Sequence, residues 1–379
     1  MRLREKITTI IFILLIGIVP LGNLLIADRT YSQNENRLLA QKPKITLPAL
    51  LKGNFSKDYE EYVTDQIIFR DTFVKVKNFT EVALGKKDNG RVFFGKDGYL
   101  IERNTQEDID NLRVEANISY IKKFINDLEG IIDLEEVTMM LVPTIEAVIP
   151  EKLPNYAEVF NQDVLYKKLT KELSKINHLD IRTALREKKD EYIYYRTDHH
   201  WTTKGAFIAY REWCSKKGYI PLEEDYIIEK VSEDFLGSTY SKANIFLGEA
   251  DSIYIYKPTW DMSYNIEYNL GERIGDSLYE LKYLNTKDKY RVFLGGNDGI
   301  VRIKTSNKNS KSIAVIKDSY ANSFIPFLVN DYEMIHVIDL RYNNYSMVKY
   351  LQENNIQELL FLYNTIGFAK DRDLIKLTR

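Results

Sequence analysis

The sequence predicts an α/β fold, and three observations carry that prediction. Short, strongly apolar runs recur at Val137–Val142, Ser312–Ile316, Met334–Leu340 and Glu358–Tyr363. Runs of this length, bounded by turn residues, have the pattern of buried strands. Segments with helical apolar spacing occur as well, at Ile109–Leu128, Tyr166–Asn177 and the stretch after Thr202. Strands alternating with helices in this way specify a sheet covered by helices. There are no internal repeats and no low-complexity tract.

Taken in order, the elements begin with an apolar run. Arg2, Arg4 and Lys6 precede Ile7–Ala27, which holds no charged residue. A basic flank before such a run reads as an N-in signal-anchor, a transmembrane helix over residues 1–27, with the rest of the chain outside the cytoplasmic membrane. Pro20, Gly22 and Asn23 weaken its far end, so a cleaved signal with a secreted product is the alternative; Leu25-Ile26-Ala27 is a poor cleavage site and favours the anchor. Residues 28–90 read as a stem and helical lead-in. Pro43 and Pro48 mark the extended part, and Phe55–Leu84 has helical spacing with Tyr59, Tyr62, Val63, Ile67 and Phe69 as packing residues. Residues 91–379 form the main domain, in which the turn-rich, Tyr-rich stretch 218–309 reads as an insertion that shapes a substrate groove.

Composition narrows the class. A chain of 379 residues holds one large domain or two smaller ones, and a net charge of −2 gives no argument for a nucleic-acid partner. The 27 tyrosines suit sugar stacking and ordinary β-rich cores alike, so their number decides nothing. The single cysteine, Cys214, excludes an intramolecular disulfide, and its place on the apolar side of a helix reads as a buried thiol.

The chemistry is concentrated in two tetrapeptides, Asp198-His199-His200-Trp201 and Lys317-Asp318-Ser319-Tyr320. An Asp two residues before a His can set a carboxylate beside an imidazole. A serine hydroxyl is a poor nucleophile at neutral pH. It needs a neutral imidazole to take its proton and a carboxylate to fix that imidazole's tautomer. Ser319 follows the apolar run Ser312–Ile316 and precedes a helix that Pro326 must end or kink, the geometry of a nucleophile elbow. The helix start offers N–H groups to a developing oxyanion. Thr202 or Thr203 caps the helix after the first tetrapeptide, with Ala206, Ala209, Tyr210 and Trp213 as its buried stripe. Adjacent histidines also raise a metal, but only His178 and His336 remain and no cluster completes a site, so no metal is expected. His199 reads as a packing or substrate-facing neighbour, and Trp201 and Tyr320 as candidate oxyanion or substrate contacts.

The segment Tyr195–Thr202 resembles the signature of the DHHW protein family, which is similar to the alginate O-acetyltransferases with their circularly permuted SGNH-hydrolase-like domain. The resemblance extends over Glu35-Asn36-Arg37-Leu38-Leu39-Ala40 with Pro43, Asp65–Asp71, Phe94–Leu100, Leu294–Asn297 and Val315–Phe324. It implies an SGNH-hydrolase-like, flavodoxin-like three-layer domain, with Ser319 as nucleophile, His200 as general base and Asp198 as its orienting partner. Lys317 stands where the wider SGNH pattern has Gly. By the same topology the strand Met334–Leu340 brings the backbone near Arg341, and the strand Glu358–Tyr363 brings the Asn364 side chain, as oxyanion donors. Asn364 is preferred, and Asn297, equally at home in a Gly-rich turn, is its rival.

These readings converge on an extracytoplasmic O-acetyltransferase. It would act on an exopolysaccharide or cell-wall glycan through an acetyl-serine intermediate, with no cofactor. The resemblance implies a membrane-bound O-acyltransferase as acetyl donor, because the outer compartment lacks acetyl-coenzyme A. Two alternatives stay open: a carbohydrate acetylesterase using the same triad, and a non-catalytic glycan-binding component of a polysaccharide assembly complex.

Overall fold

The computed structural model describes residues 3–32, 34–35, 37–246 and 248–379; Arg2 and Asn36, which the sequence reading used, lie outside them. The N-terminal apolar run is helical, α1 (Leu3–Leu25). Among the described residues, however, no helix is long and apolar enough to cross a membrane, so the expected signal-anchor finds no support there. Arg4, Glu5, Lys6, Thr8 and Thr9 fall inside the helix and Asn23 near its end. Its uncharged part, Ile7 to Leu25, spans about 28 Å at about 1.5 Å per residue and is interrupted by Thr8, Thr9, Pro20, Gly22 and Asn23.

The chain divides into two compact units, Met1–Asn89 with Tyr240–Gly248, and Gly90–Thr239 with Glu249–Arg379. In the first, the expected continuous helix is two, α2 (Asn54–Gln66) and α3 (Arg70–Ala83). They are separated where Phe69 takes a left-handed φ of 59°. Tyr59, Val63 and Phe69, expected to pack, are 45%, 40% and 66% exposed. The buried face is polar instead: Asp65 is buried and takes Arg37 in a two-pronged pair at 2.5 and 2.8 Å, while Arg70 holds Glu35 at 2.5 Å. An unpaired buried carboxylate is costly, so these arginines are what allow Asp65 to face inward.

The second unit is built on one eight-stranded sheet. Its strands are β1 (Val137–Val142), β2 (Asn177–His178), β3 (Tyr264–Tyr268), β4 (Arg273–Gly275), β5 (Ile300–Thr305), β6 (Ser312–Lys317), β7 (Met334–Ile338) and β8 (Glu358–Asn364). They lie in the order β4-β3-β5-β7-β6-β8-β1-β2. β7, β6, β8, β1 and β2 are parallel, and β5, β3 and β4 continue the sheet antiparallel. The turn-rich region thus supplies one edge of the sheet.

Alternation along the central strands divides two cores. Ile313, Val315, Leu360 and Leu362 join one, with α6 (Thr203–Ser215); Ala314, Ile316, Leu359 and Phe361 join the other, with α4 (Asn111–Asp127) and α5 (Gln162–Glu172). Burial on both faces is why these strands read as unbroken apolar runs. The result is a three-layer α/β unit whose central parallel strands, β7, β6, β8 and β1, end near one another. Loops at such carboxyl ends are where α/β proteins place ligands, and β6 ends there at Lys317.

Candidate active site

Ser319 opens a short 3-10 turn, Ser319–Ser323, directly after β6, and is half-buried. Asp318 forms the turn. Its carboxylate accepts from the Tyr320 N–H at 2.9 Å, and from the backbone and side-chain nitrogens of Asn364 at 2.7 and 2.6 Å. Asp318 therefore ties the end of β6 to the end of β8. The expected helix is broken in two: Pro326 sits at the start of a separate turn, Ile325–Leu328, where its missing N–H costs nothing.

The other tetrapeptide lies in a tight loop before α6. The loop is closed by a bridge between Tyr194 and Trp201, and the helix is capped by Thr202, whose hydroxyl accepts from Gly205 N–H at 3.3 Å. Ala206, Ala209, Tyr210 and Trp213 are buried as their spacing requires; so are Phe207, Ile208 and Cys214, so the helix is enclosed on most sides. Asp251 grips the loop, accepting from the Arg196 and Thr197 N–H groups at 2.8 Å each, from the Thr197 hydroxyl at 2.5 Å, and from the Tyr192 hydroxyl.

These two loops meet. His200 Nε2 lies 2.8 Å from Ser319 Oγ, and His200 Nδ1 lies 2.5 Å from Asp198 Oδ1, so three residues form one relay. Ser238 N–H donates to the second Asp198 oxygen at 2.7 Å. The His200 ring stacks on Tyr290 at 3.9 Å and 8°. The two loops are also stitched by Trp201 Nε1 donating to Tyr320 O at 2.9 Å and by the Tyr320 hydroxyl donating to His199 O. Trp201 and Tyr320 are buried supports.

Burial pushes the His200 imidazole down to about 4, with His199 adding to the effect and Asp198 opposing it. His200 is therefore neutral at neutral pH, the form that accepts a proton. Burial pushes the Asp198 carboxyl up, but His200, His199 and the Ser238 N–H outweigh it and hold Asp198 below the ordinary carboxylate range. One donor-type atom from each of Asp198, His199 and His200 falls within 4.8 Å of the others. Those atoms are already engaged: His200 Nδ1 with Asp198, His200 Nε2 with Ser319, and His199 Nδ1 at 2.6 Å from Ser238 Oγ. The cluster is satisfied as a hydrogen-bond relay without an ion.

The three oxyanion candidates are distributed differently from the sequence ranking. The Asn364 amide nitrogen is occupied by Asp318, and its oxygen accepts from Gly367 N–H at 2.7 Å as a helix cap. The Arg341 backbone N–H and guanidinium both turn to Asp339. Asn297 precedes β5, whose Ile300 pairs with Ile338 at the carboxyl end of β7. Its side-chain oxygen accepts from Lys317 Nζ at 2.7 Å and Asn322 Nδ2 at 3.1 Å. Its own amide nitrogen has no acceptor among the described residues.

Lys317 is 2% exposed and spends its donors on Asn297 and Asn322 at 2.7 Å each and on Asp339 at 3.5 Å. An ammonium has three donors and no acceptor, so it turns both amide oxygens toward itself and the Asn297 N–H groups outward. Burial pushes Lys317 down to about 8. Ser238, Asp251 and Tyr290 have no sequence signal comparable to the two tetrapeptides. They come from the turn-rich region and reach the site only through the fold.

The unit is thus a mixed α/β protein with a Ser–His–Asp relay at the carboxyl edge of its sheet. The sequence pattern of the DHHW protein family matches residues 128–338, more than half of the chain, and the protein belongs to that family. Among solved structures, a DHHW family protein from Eubacterium siraeum aligns at TM-score 0.63 and 25% identity, covering 76% of this chain and 95% of that one. Bacillus cereus PatB1 with a sulfonyl adduct aligns at TM-score 0.63 and 19% identity, covering 76% and 98%, and PatB1 without it at 0.62 and 20%, covering 74% and 97%. The PatB1 likeness is one of fold. No curated protein matches the chain.

Proposed function

We propose that this protein is an extracytoplasmic O-acetyltransferase of the SGNH-hydrolase-like class, circularly permuted, with Asp198 and His200 preceding Ser319 in the chain. The observation that carries the reading is the relay itself: a half-buried serine after the central strand, 2.8 Å from an imidazole that is neutral and fixed by a carboxylate.

The Ser319 oxygen attacks the carbonyl of an acetyl donor while its proton passes to His200 Nε2. The carbonyl–leaving-group bond breaks, the leaving group takes that proton, and acetyl-Ser319 remains. A sugar hydroxyl then attacks the ester carbon and gives its proton to His200. The Ser319 oxygen departs and takes the proton back. Asp198 holds the proton on Nδ1 throughout and stabilises the transient imidazolium.

The oxyanion formed in both steps is assigned to Asn297 Nδ2 and the Ser319 N–H. Both donors lack an acceptor among the described residues, whereas the Asn364 amide already gives one N–H to Asp318. The acceptor is a polysaccharide or cell-wall glycan, and the acetyl is supplied by a membrane-bound O-acyltransferase. The family resemblance supports both.

The test is product analysis with an activated acetyl ester, with and without added glycan. Transfer predicts an O-acetyl glycan that appears only with Ser319 intact and acetyl release that rises when glycan is added. Free acetate alone at an unchanged rate is the esterase outcome and contradicts the transfer reading.

A further inference from the structure

An open cleft of about 510 Å³ is walled on one side by the Asn297–Gly299 turn and on the other by the loop Tyr342–Tyr345 after β7. Its wall is continuous with the nucleophile loop. Asn297 bonds Lys317, and Gly296 O accepts from Asn322 Nδ2 at 3.4 Å, residues on either side of Ser319. Lys317 and Ser319 lie two residues apart, within about 7.6 Å Cα to Cα. The lining has a distinct chemistry. Tyr342 and Tyr345 are 60% and 58% exposed, aromatic faces held out to solvent on a loop pinned by Asn343, whose buried side chain accepts from Tyr345 N–H at 3.0 Å. Asn297 and the exposed Asn344 supply amides. The charged groups of the lining are Glu272 and Asp298, and no cation lines it among the described residues. Asp298 is matched by Arg273 at 3.3 Å, leaving exposed Glu272 as the net charge. Arg341, near the Tyr342 ring, is already bound to Asp339.

Exposed aromatic faces match the apolar C–H faces of a sugar ring, and amides match its hydroxyls. A site built to hydrogen-bond hydroxyls selects for them strongly. A polyanion would meet the Glu272 carboxylate, and the nearest guanidinium groups, Arg273 and Arg341, are already paired with Asp298 and Asp339. We infer that this cleft is the acceptor subsite and that it takes an uncharged glycan, with sugar rings stacked on Tyr342 and Tyr345 and a hydroxyl directed past Asn297 toward Ser319. The inference rests on the transferase reading for the last clause only; the binding chemistry stands by itself.

The experiment is titration calorimetry of the full chain with chitotetraose, cellotetraose and tetragalacturonate. Wild type is compared with Tyr342→Ala, Tyr345→Ala and the double variant, and acetylation of Ser319 by a small activated ester is followed in the same samples. The expected result is binding of at least one neutral tetrasaccharide, at least tenfold weaker binding in the double variant, no competition by tetragalacturonate, and acetylation of Ser319 in wild type. Absence of neutral-glycan binding to wild type overturns the inference, as does undiminished binding in the double variant or equal binding of the uronate. Glycan binding that depends on the tyrosines while Ser319 stays unacetylated keeps the subsite and removes the transferase reading.

Discussion

His200 is held by a carboxylate at Nδ1, a serine hydroxyl at Nε2 and a parallel tyrosine ring against its face. Burial holds it neutral, with its acid form stable only well below the ordinary imidazole value. Because proton acceptance requires the neutral form, activity is flat at neutral pH and is lost as pH falls through the His200 pKa. The kcat/KM profile with an activated acetyl ester should show its acid limb below 6.5, toward about 4; a midpoint at or above 6.5 contradicts this account of the site. Asp198 is equally confined. A Cβ at Gly237 would collide with the Asp198 side chain, so glycine is needed there for close approach rather than for its backbone angle. Gly237→Ala should displace the carboxylate and lower kcat by about 100-fold, the cost of an approximately 1 Å misplacement, with thermal stability reported alongside by calorimetry. The pairing of Asp198 with His200 is readable in the sequence because two residues of loop set it. The Ser238 N–H, the Asp251 clamp and the Tyr290 ring are not, since they reach the site by long-range folding.

Among the elements, the turn after β6 depends on buried polar groups that satisfy one another. Lys317, read in the sequence as a departure from the wider SGNH pattern, gives its donors to Asn297, Asn322 and Asp339. Lys317→Met fits the same space but leaves those oxygens facing an apolar chain and Asp339 with one partner fewer. Breaking a buried charged contact by removing one side typically costs about 3–5 kcal/mol. A loss in that range is expected in denaturant unfolding, and a loss below about 1 kcal/mol contradicts the network. The strand ends explain what the sequence conveyed and what it did not. Apolar runs located β1, β6, β7 and β8 because those strands are buried on both faces. The Asn364 preference followed from strand topology alone, whereas the hydrogen bond from that amide to Asp318 is a long-range contact the sequence does not show. Antiparallel β3, β4 and β5 alternate weakly and were legible only as a turn-rich region.

For the whole molecule, stability rests on a sheet with a core on each face. Phe361 sits fully buried in β8 and meets Phe124 of α4 edge-on, with ring centroids 6.1 Å apart. Phe361→Ala should cost about 3–5 kcal/mol, read as a lower denaturant midpoint, with the relay unaffected in the protein that remains folded. The layer architecture was legible from alternation of strand and helix. The N-terminal run was less so: its apolar character is plain in the sequence, but the polar residues that enter the helix at both ends shorten what is continuous. The central claim is that Ser319 is a nucleophile activated by His200 and Asp198. Intact-mass spectrometry of the full chain after incubation with an activated acetyl ester tests it most directly, with Ser319→Ala run beside wild type and the adduct mapped by peptide sequencing. The account predicts one added acetyl group on wild type, located on Ser319, and none on the variant. An adduct on another residue, or ester turnover that persists in Ser319→Ala, would contradict it.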